Sequence, residues 1–200
     1  MILFDFEITV ENVVMIGSFS EEVNLADANV KLEGSKGNRK RFPGLTYKLR
    51  MPPATFLLFR NGKFVCTGIK TQLNGEQAIQ SFLELLKAKG LVSSQCSFEC
   101  CVKNLVTSVN LSGASVSLEK FTREFNSIYE PDRFPAAIYK AHESKATFLV
   151  FLTGKLVCSG IADEDTLKRT VKKFYEQLVK KKAIEKILNT TNKPTTTVDS

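Results

Sequence analysis

Two kinds of hydrophobic pattern alternate along the chain. Short stretches rich in Phe, Ile, Val and Thr, bounded by Gly, Pro and Asn, are typical of strands, while apolar residues at spacings of three and four are typical of helices. Strands are predicted at Phe4–Gly17, Pro43–Met51, Thr55–Arg60, Lys63–Gly68 and Phe98–Val109. Because Asn-Gly is a strong two-residue hairpin signal, Asn61-Gly62 is predicted to join the third and fourth of these strands.

Helices are predicted at four places. Two short ones cover Asn24–Leu32 and Val116–Phe125, and two long ones cover Gln77–Lys89 and the segment from Asp165 onward. The first long helix carries its apolar residues on one side, as Ile79, Phe82, Leu83 and Leu86. Strands and helices in this order predict an α+β fold, with one antiparallel sheet and all helices on a single face.

The central stretch of the chain occurs twice. Arg41–Ile69 and Arg133–Ile161 align without a gap and share 16 of 29 residues, where unrelated sequences share about two. The offset is 92 residues, and equivalent predicted elements surround each copy. We therefore predict a pseudo-symmetric domain with halves at 1–92 and 93–188, and a polar, disordered tail at 189–200.

The repeated strands are apolar on both faces. In Thr55–Arg60 one parity gives Phe56 and Leu58, and the other gives Leu57 and Phe59. Helices on a single face cover only one parity of an antiparallel sheet. The other face is then either covered by a second layer or subunit, or exposed as a binding surface.

Charge and composition narrow the function. The chain has 43% hydrophobic residues, a net charge of +7 and a pI of about 9.1, which suits a nucleic-acid partner. It contains no apolar run long enough to span a membrane, and its acidic N-terminus is no signal peptide. A single His and the lack of a nucleophile or paired-carboxylate pattern argue against an enzyme.

The five cysteines predict neither a metal site nor disulfides. Cys66 and Cys158 hold equivalent places in the two strand repeats and are expected to pack in the core. The cluster of Cys96, Cys100 and Cys101 lacks zinc-site spacing and has no His nearby. Reduced thiols in an intracellular protein without a cofactor are expected.

The repeat resembles that of the TATA-box-binding protein (TBP) family. RFPGLTYKLRMPPATFLLFRNGKFVCTG and its second copy are similar to the family's repeat hallmark. Tyr129–Asp132 (YEPD) resembles the family's Y-E-P-E, and the segments from Asn12 and Asn104 resemble its N-I-V. The resemblance covers about residues 5 to 180.

The resemblance implies a ten-stranded saddle whose concave face binds and bends A·T-rich promoter DNA through the minor groove. Aromatic wedges that unstack and kink the DNA would lie at both ends of the site. By residue match these wedges are Phe42, Phe59, Phe134 and Phe151. Because Pro43 and Pro135 follow the first wedge in both halves, the two ends are expected to hold DNA alike.

The resemblance also implies three groups of contact residues. Groove contacts are expected from Asn12, Val14, Leu57, Val65, Thr67, Asn104, Val106, Leu149, Val157 and Ser159. Phosphate contacts are expected from Arg41, Lys48, Lys63, Lys70, Arg133, Lys140 and Lys155. Glu130 and Asp132 match the acidic pair that meets transcription factor IIB.

Three functions are compatible with these residues. The first is a general transcription factor in the nucleus that nucleates the pre-initiation complex with a factor IIB-like protein and other initiation factors. The second is an interaction module whose concave face binds a regulatory protein instead of DNA, an alternative raised by the few cations in Gln72–Lys89. The third is an accessory domain that holds substrate for a nucleic-acid enzyme.

Overall fold

The structure is a computed structural model that describes residues 6–37, 43–111 and 113–186. The elements of the first half are β1 (Phe6–Phe19), α1 (Leu25–Lys31), β2 (Lys36–Gly37), β3 (Gly44–Leu49), β4 (Ala54–Phe59), β5 (Lys63–Ile69) and α2 (Gln72–Ala88). Those of the second half are β6 (Phe98–Leu111), β7 (Ala114–Val116), α3 (Leu118–Phe125), β8 (Ala136–Lys140), β9 (Thr147–Phe151), β10 (Lys155–Ile161), α4 (Glu164–Lys180) and β11 (Ile184–Lys186). Each element predicted from the sequence pattern is present.

The strands form one antiparallel sheet in the order β2-β3-β4-β5-β1-β6-β10-β9-β8. Within the described residues this sheet has nine strands, one fewer than the ten implied by the family resemblance. Where a tenth strand would lie beside β8, Ile128 forms a single bridge with Ile138. A separate two-stranded sheet pairs β11 with β7.

The two halves match element for element at the offset of the sequence repeat. α2 and α4 have 17 residues each and start 92 positions apart, and β1 and β6 have 14 residues each with the same spacing. β1 and β6 pair along their whole length at the middle of the sheet. The sheet is therefore continuous across the halves, as the saddle requires.

The helices cover one face of the sheet, and a single hydrophobic core lies between the helices and the sheet. In the first half the ring of Phe56 on β4 stacks on Phe82 of α2 at 4.2 Å between centroids. Phe148 and Phe174 repeat this stack at 4.0 Å in the second half. All four rings are buried, and offset-stacked rings add to the energy of hydrophobic burial.

Cys66 and Cys158 belong to this core, which confirms that they are packing residues. Both are fully buried. Loss of hydration on burial raises the pKa of each thiol to about 12.

The two long helices begin at different kinds of cap. Thr71 caps α2 by accepting a hydrogen bond from the backbone N–H of Asn74 at 3.1 Å. Asp163 caps α4 by accepting one from Thr166 at 2.7 Å. α2 starts five residues before the predicted Gln77, because its first turn, in which Leu73 is exposed, is held by the cap rather than by a buried apolar face.

Some predicted features fall beyond the described ranges. Arg41, Phe42 and the polar tail at 189–200 lie outside the described residues. None of the helices in the described ranges is long and apolar enough to cross a lipid bilayer.

Candidate nucleic-acid interface

The apolar face predicted from strand parity is present and lies opposite the helices. In β4, Phe56 and Leu58 are buried, whereas Leu57 and Phe59 are half-buried. β5, β9 and β10 show the same alternation. No described element packs over this concave face, so it is an accessible apolar surface.

Two matched rows of side chains form the floor of this face. Leu57 pairs with Val65, which pairs with Ile16 of the central strand β1. In the second half Leu149 pairs with Val157, which pairs with Ser108 of β6. Residues paired directly across an antiparallel ladder point to the same face, so each row is one continuous strip.

The middle of the floor is formed where β1 and β6 cross. Val14 pairs with Asn104, and Asn12 pairs with Val106. All four side chains are half-buried and share the face of the two rows. The predicted central amides and apolar contacts are thus brought together around the pseudo-twofold axis.

A β-bulge fixes the orientation of each central amide. The register shifts by one residue in β5 at Thr67-Gly68 and in β10 at Ser159-Gly160, where both glycines adopt positive φ, +83° and +98°. A residue with a Cβ rarely adopts this backbone, so glycine is required there.

In the first half the bulge aims the N–H of Gly68 at Asn12, whose Oδ1 accepts it at 2.8 Å. The Nδ2 group of Asn12 donates to Thr67 Oγ1 at 3.0 Å. Since Oδ1 is held by the backbone and an amide nitrogen has two hydrogens, one N–H donor remains for a ligand on the concave face.

The second half carries the same device. Oδ1 of Asn104 accepts the N–H of Gly160 at 2.6 Å. Both asparagines therefore present nitrogen rather than oxygen to the concave face. That donor complements the A N3 and T O2 acceptors of a minor groove.

Two aromatic rings lie at the end of the second half. Phe134 and Phe151 contact edge to face with centroids 6.2 Å apart. Phe134 is 40% exposed despite its size. Its backbone N–H donates to Glu130 at 2.9 Å, so a turn holds the ring at the sheet edge. Phe59 is half-buried at the other end.

Apart from Arg41, which lies outside the described residues, the predicted cations are exposed along the rim of the face. Lys48 pairs with Thr55, which pairs with Thr67. Lys140 pairs with Thr147, which pairs with Ser159. Lys63, Lys70 and Lys155 are exposed at strand ends. Arg133 differs, because its guanidinium pairs with Glu130 at 3.0 Å.

Glu130 and Asp132 lie in the turn that precedes Phe134. Both are exposed. The structure thus brings the predicted acidic pair next to the aromatic end of the second half, although the ion pair with Arg133 partly neutralises Glu130.

Two carboxylates on the concave face were not predicted. Glu11 accepts a hydrogen bond from Ser108 at 2.7 Å, and Glu99 accepts one from Ser18 at 3.2 Å. Their negative charge disfavours an anionic group beside them. Side-chain alternation along β1 and β6 determines which residues face the concave side. Bulges in these strands shift that alternation by one residue, and the sequence does not show the positions of the bulges.

The central strands also add residues to the floor that sequence reasoning missed. Ile16 pairs with Cys101, and Ser108 pairs with Thr9. Ile16 and Ser108 are equivalent positions at the 92-residue offset, as are Thr9 and Cys101, but their pairing across β1 and β6 depends on a register that the sequence does not show.

Comparison with known proteins identifies the family of this chain. The sequence model of the family described as "Transcription factor TFIID (or TATA-binding protein, TBP)" matches residues 7–89 and 99–181. The TATA-box-binding protein of Methanobrevibacter smithii is 34% identical over 175 residues, which is 87% of this chain and 96% of the relative. That of Pyrobaculum aerophilum is 35% identical over 170 residues, 84% of each chain.

A solved structure agrees in three dimensions. The chain resembles Methanococcus jannaschii TBP with a TM-score of 0.78 and 30% sequence identity, over 87% of this chain and 99% of the other. The matched segments begin 92 residues apart, at the offset of the internal repeat. By sequence and by fold, the chain belongs to the TATA-binding protein family.

Proposed function

We propose that this protein is a DNA-binding general transcription factor that binds and bends A·T-rich promoter DNA through the minor groove. The observation that carries the proposal is the arrangement of the concave face. Two amide donors, Asn12 and Asn104, stand at its centre, flanked by matched apolar rows. An edge-to-face aromatic pair, Phe134 and Phe151, stands at its end.

Preference for A·T pairs follows from the chemistry of the floor. The minor groove of A·T and T·A pairs shows only acceptors, while guanine adds an amino donor. The side chains of Leu57, Val65, Leu149 and Val157 offer no acceptor, so a guanine amino group would lose water without gaining a partner. The Asn donors favour the acceptors of A·T pairs.

Bending follows from the wedges. Phe134 and Phe151 at one end, with Phe59 and Phe42 at the other, would insert between base steps and replace part of the lost stacking. The exposure of Phe134 supports this role. Contact of a large apolar ring with water is unfavourable, and stacking on bases would remove that contact.

Affinity would come from the rim cations, since phosphate contacts supply most of the salt-dependent binding free energy. We assign this role to Lys48, Lys63, Lys70, Lys140 and Lys155, which are exposed, and to Arg41. Arg133 would have to exchange Glu130 for a phosphate.

We further propose that 1–92 and 93–188 act as the two halves of one saddle without catalytic activity. The saddle would nucleate a pre-initiation complex, and in a eukaryote it would do so in the nucleus. The exposed Glu130 and Asp132 support docking of a factor IIB-like protein beside the bent DNA.

Fluorescence anisotropy with an A·T-rich duplex tests the proposal. We expect saturable binding that weakens steeply with salt, and weaker binding to a G·C-rich duplex of equal length. Absence of saturable binding, or equal affinity for both duplexes, would refute it.

Fluorescence resonance energy transfer between dyes at the two ends of the duplex measures the bend and tests the wedge assignment. The double variant Phe134→Ala/Phe151→Ala is expected to abolish most of the bend. The control is Leu152→Ala, which removes a neighbouring apolar side chain that is 59% exposed and lies outside the wedge pair. An unchanged bend in the double variant would contradict the wedge assignment.

A further inference from the structure

The two long helices are equivalent in fold but opposite in charge. α2 and α4 occupy matched places, and their buried residues coincide at Ile79 and Val171, at Phe82 and Phe174, and at Leu86 and Leu178. Yet α4 carries five cations and three carboxylates, whereas α2 carries one cation and two carboxylates.

The charge difference is concentrated on the exposed side of α4. Lys168, Arg169, Lys172 and Lys173 stand where α2 has Glu76, Gln77, Gln80 and Ser81. All four cations are exposed. Because α2 packs on the sheet in the same way without them, the fold does not require these cations. The internal repeat thus provides its own comparison and assigns them to a role other than packing.

A cleft adjoins this cationic side. It lies between α4 and the β8–β9 connection and has a volume of about 420 Å³. Its lining combines donor side chains with one carboxylate, that of Glu143; the other polar residues are Arg169, Lys173, His142, Ser144, Thr166, Thr170, Gln177 and Tyr139. Several N–H and O–H donors therefore converge on a space of side-chain size, which suits an anionic group.

The cations of α4 already bind carboxylates within the chain. Lys173 pairs with Glu143 in the lining of the cleft, and this contact holds the pKa of the Glu143 carboxyl below its usual range. Lys168 pairs with Glu164 at 3.8 Å. Lys172 and Lys180 have no ion pair with any residue that the structure describes. Unmatched positive charge remains on the surface.

We propose that the exposed side of α4, formed by Lys168, Arg169, Lys172, Lys173 and Lys180, binds an acidic polypeptide segment. One carboxylate of this partner enters the cleft beside Arg169, and others pair with Lys172 and Lys180. The exposed Val179 next to Lys180 offers a contact for an apolar side chain of the same segment. The surface lies on the helical side of the sheet, so the segment can bind while DNA occupies the concave face.

The distribution of charge favours a polypeptide over a second DNA duplex. Glu143, Glu164 and Glu176 lie among the cations. A duplex presents a phosphate charge about every 1.7 Å along its axis and would meet these carboxylates. A polypeptide can place its carboxylates singly, between the negative charges of the helix.

The repeat also supplies the variant that tests the proposal. Arg169→Gln, Lys172→Gln and Lys173→Ser install the residues of α2 on α4, where the same fold already tolerates them. The probe is a short fluorescein-labelled peptide of alternating Glu and Ser with a central Leu. The full-length wild-type protein is expected to bind it saturably, and the triple variant about tenfold or more weakly. The control Lys87→Gln/Lys89→Gln, which removes the one cation of α2 and the cation that follows its last residue, is expected to bind like wild type.

Binding and bending of an A·T-rich duplex are measured in parallel and are expected to be unchanged in the triple variant, so this proposal and the proposed function can fail separately. Equal peptide binding by wild type and triple variant would overturn the inference. So would a triple variant that loses binding to a G·C-rich duplex but keeps binding to the peptide, because the surface would then be a nucleic-acid site. A gain of peptide binding on introducing Gln77→Arg, Gln80→Lys and Ser81→Lys into α2 would support it independently.

Discussion

The side-chain oxygens of Asn12 and Asn104 are held in the same way at the centre of the concave face. Oδ1 of Asn12 accepts the N–H of Gly68 at 2.8 Å, and Oδ1 of Asn104 accepts that of Gly160 at 2.6 Å. The backbone thus fixes both amides with their nitrogens available to a ligand. A protein face with hydrogen-bond donors at its centre suits A·T steps, which present only acceptors in the minor groove, better than steps with a guanine amino group.

Changing each amide to a carboxylate tests this reading. Asn12→Asp and Asn104→Asp keep the acceptor for the glycine N–H but remove the donor and add a charge. Each is expected to weaken binding to an A·T-rich duplex about 10- to 100-fold, from about 1–3 kcal/mol lost per contact. The control Asn110→Asp adds the same charge near the end of β6. Equal losses in all three variants would show that charge alone, and not the donor, is responsible.

Cys101 provides a footprint of the concave face. It is exposed in the same cross-strand row as Ile16 and Val65. Burial raises the pKa of Cys66 and Cys158 to about 12, so these thiols are unreactive near neutral pH. Maleimide is therefore expected to label Cys101 first, and an A·T-rich duplex is expected to slow that labelling, measured by mass spectrometry.

Cys101→Ser is the control for the footprint and should abolish the fast phase. A fast phase that DNA leaves unchanged would place the duplex elsewhere on the molecule.

Two phenylalanines of the second half are expected to differ in their effect on stability. Phe174 is buried and stacks on Phe148, so Phe174→Ala leaves a cavity and is expected to reduce the free energy of unfolding by about 3–5 kcal/mol. Phe134 is 40% exposed, and Phe134→Ala is expected to cost about 1 kcal/mol or less. Urea denaturation measures both. Similar losses would indicate that Phe134 belongs to the core rather than to the binding face.

The cap of α4 predicts a dependence on pH. Hydrogen bonds from Thr166 hold the pKa of the Asp163 carboxyl below its ordinary value. A carboxyl whose pKa is depressed on folding stabilises the fold above its unfolded pKa of about 3.9, and this contribution is lost as pH falls through the lower folded value. Asp163→Asn keeps the cap without titrating, so its melting temperature is expected to fall less than that of wild type below about pH 4.

Thr71, which caps α2 without a titratable group, allows a matched control. Thr71→Asp should make the first half more acid-sensitive. Identical pH profiles for wild type and Asp163→Asn would remove Asp163 from the acid response.

Much of the architecture was predictable because it depends on local patterns repeated at a fixed offset. The Asn61-Gly62 hairpin, the amphipathic Gln77–Lys89 and the two-sided apolar β4 strand were all read from neighbouring residues. The start of α2 at Gln72 was missed, because a cap at Thr71 and a first turn whose only large apolar residue, Leu73, is exposed leave no periodic signal.

The sequence by itself determined the fold class, the pseudo-twofold repeat and the second apolar face of the strands, because these follow from strand parity, helix periodicity and an ungapped internal match. The Asn pair and the apolar rows were expected from the resemblance to the TATA-box-binding protein family. Only the tertiary structure decided which atoms the concave face presents. The bulges at Gly68 and Gly160 set the direction of two N–H groups, and those groups fix amides 56 residues away in the chain. Likewise, Glu11 and Glu99 reach the concave face only through the shifted pairing of β1 with β6. Such placements depend on register between distant strands, which side-chain patterns along one segment do not specify.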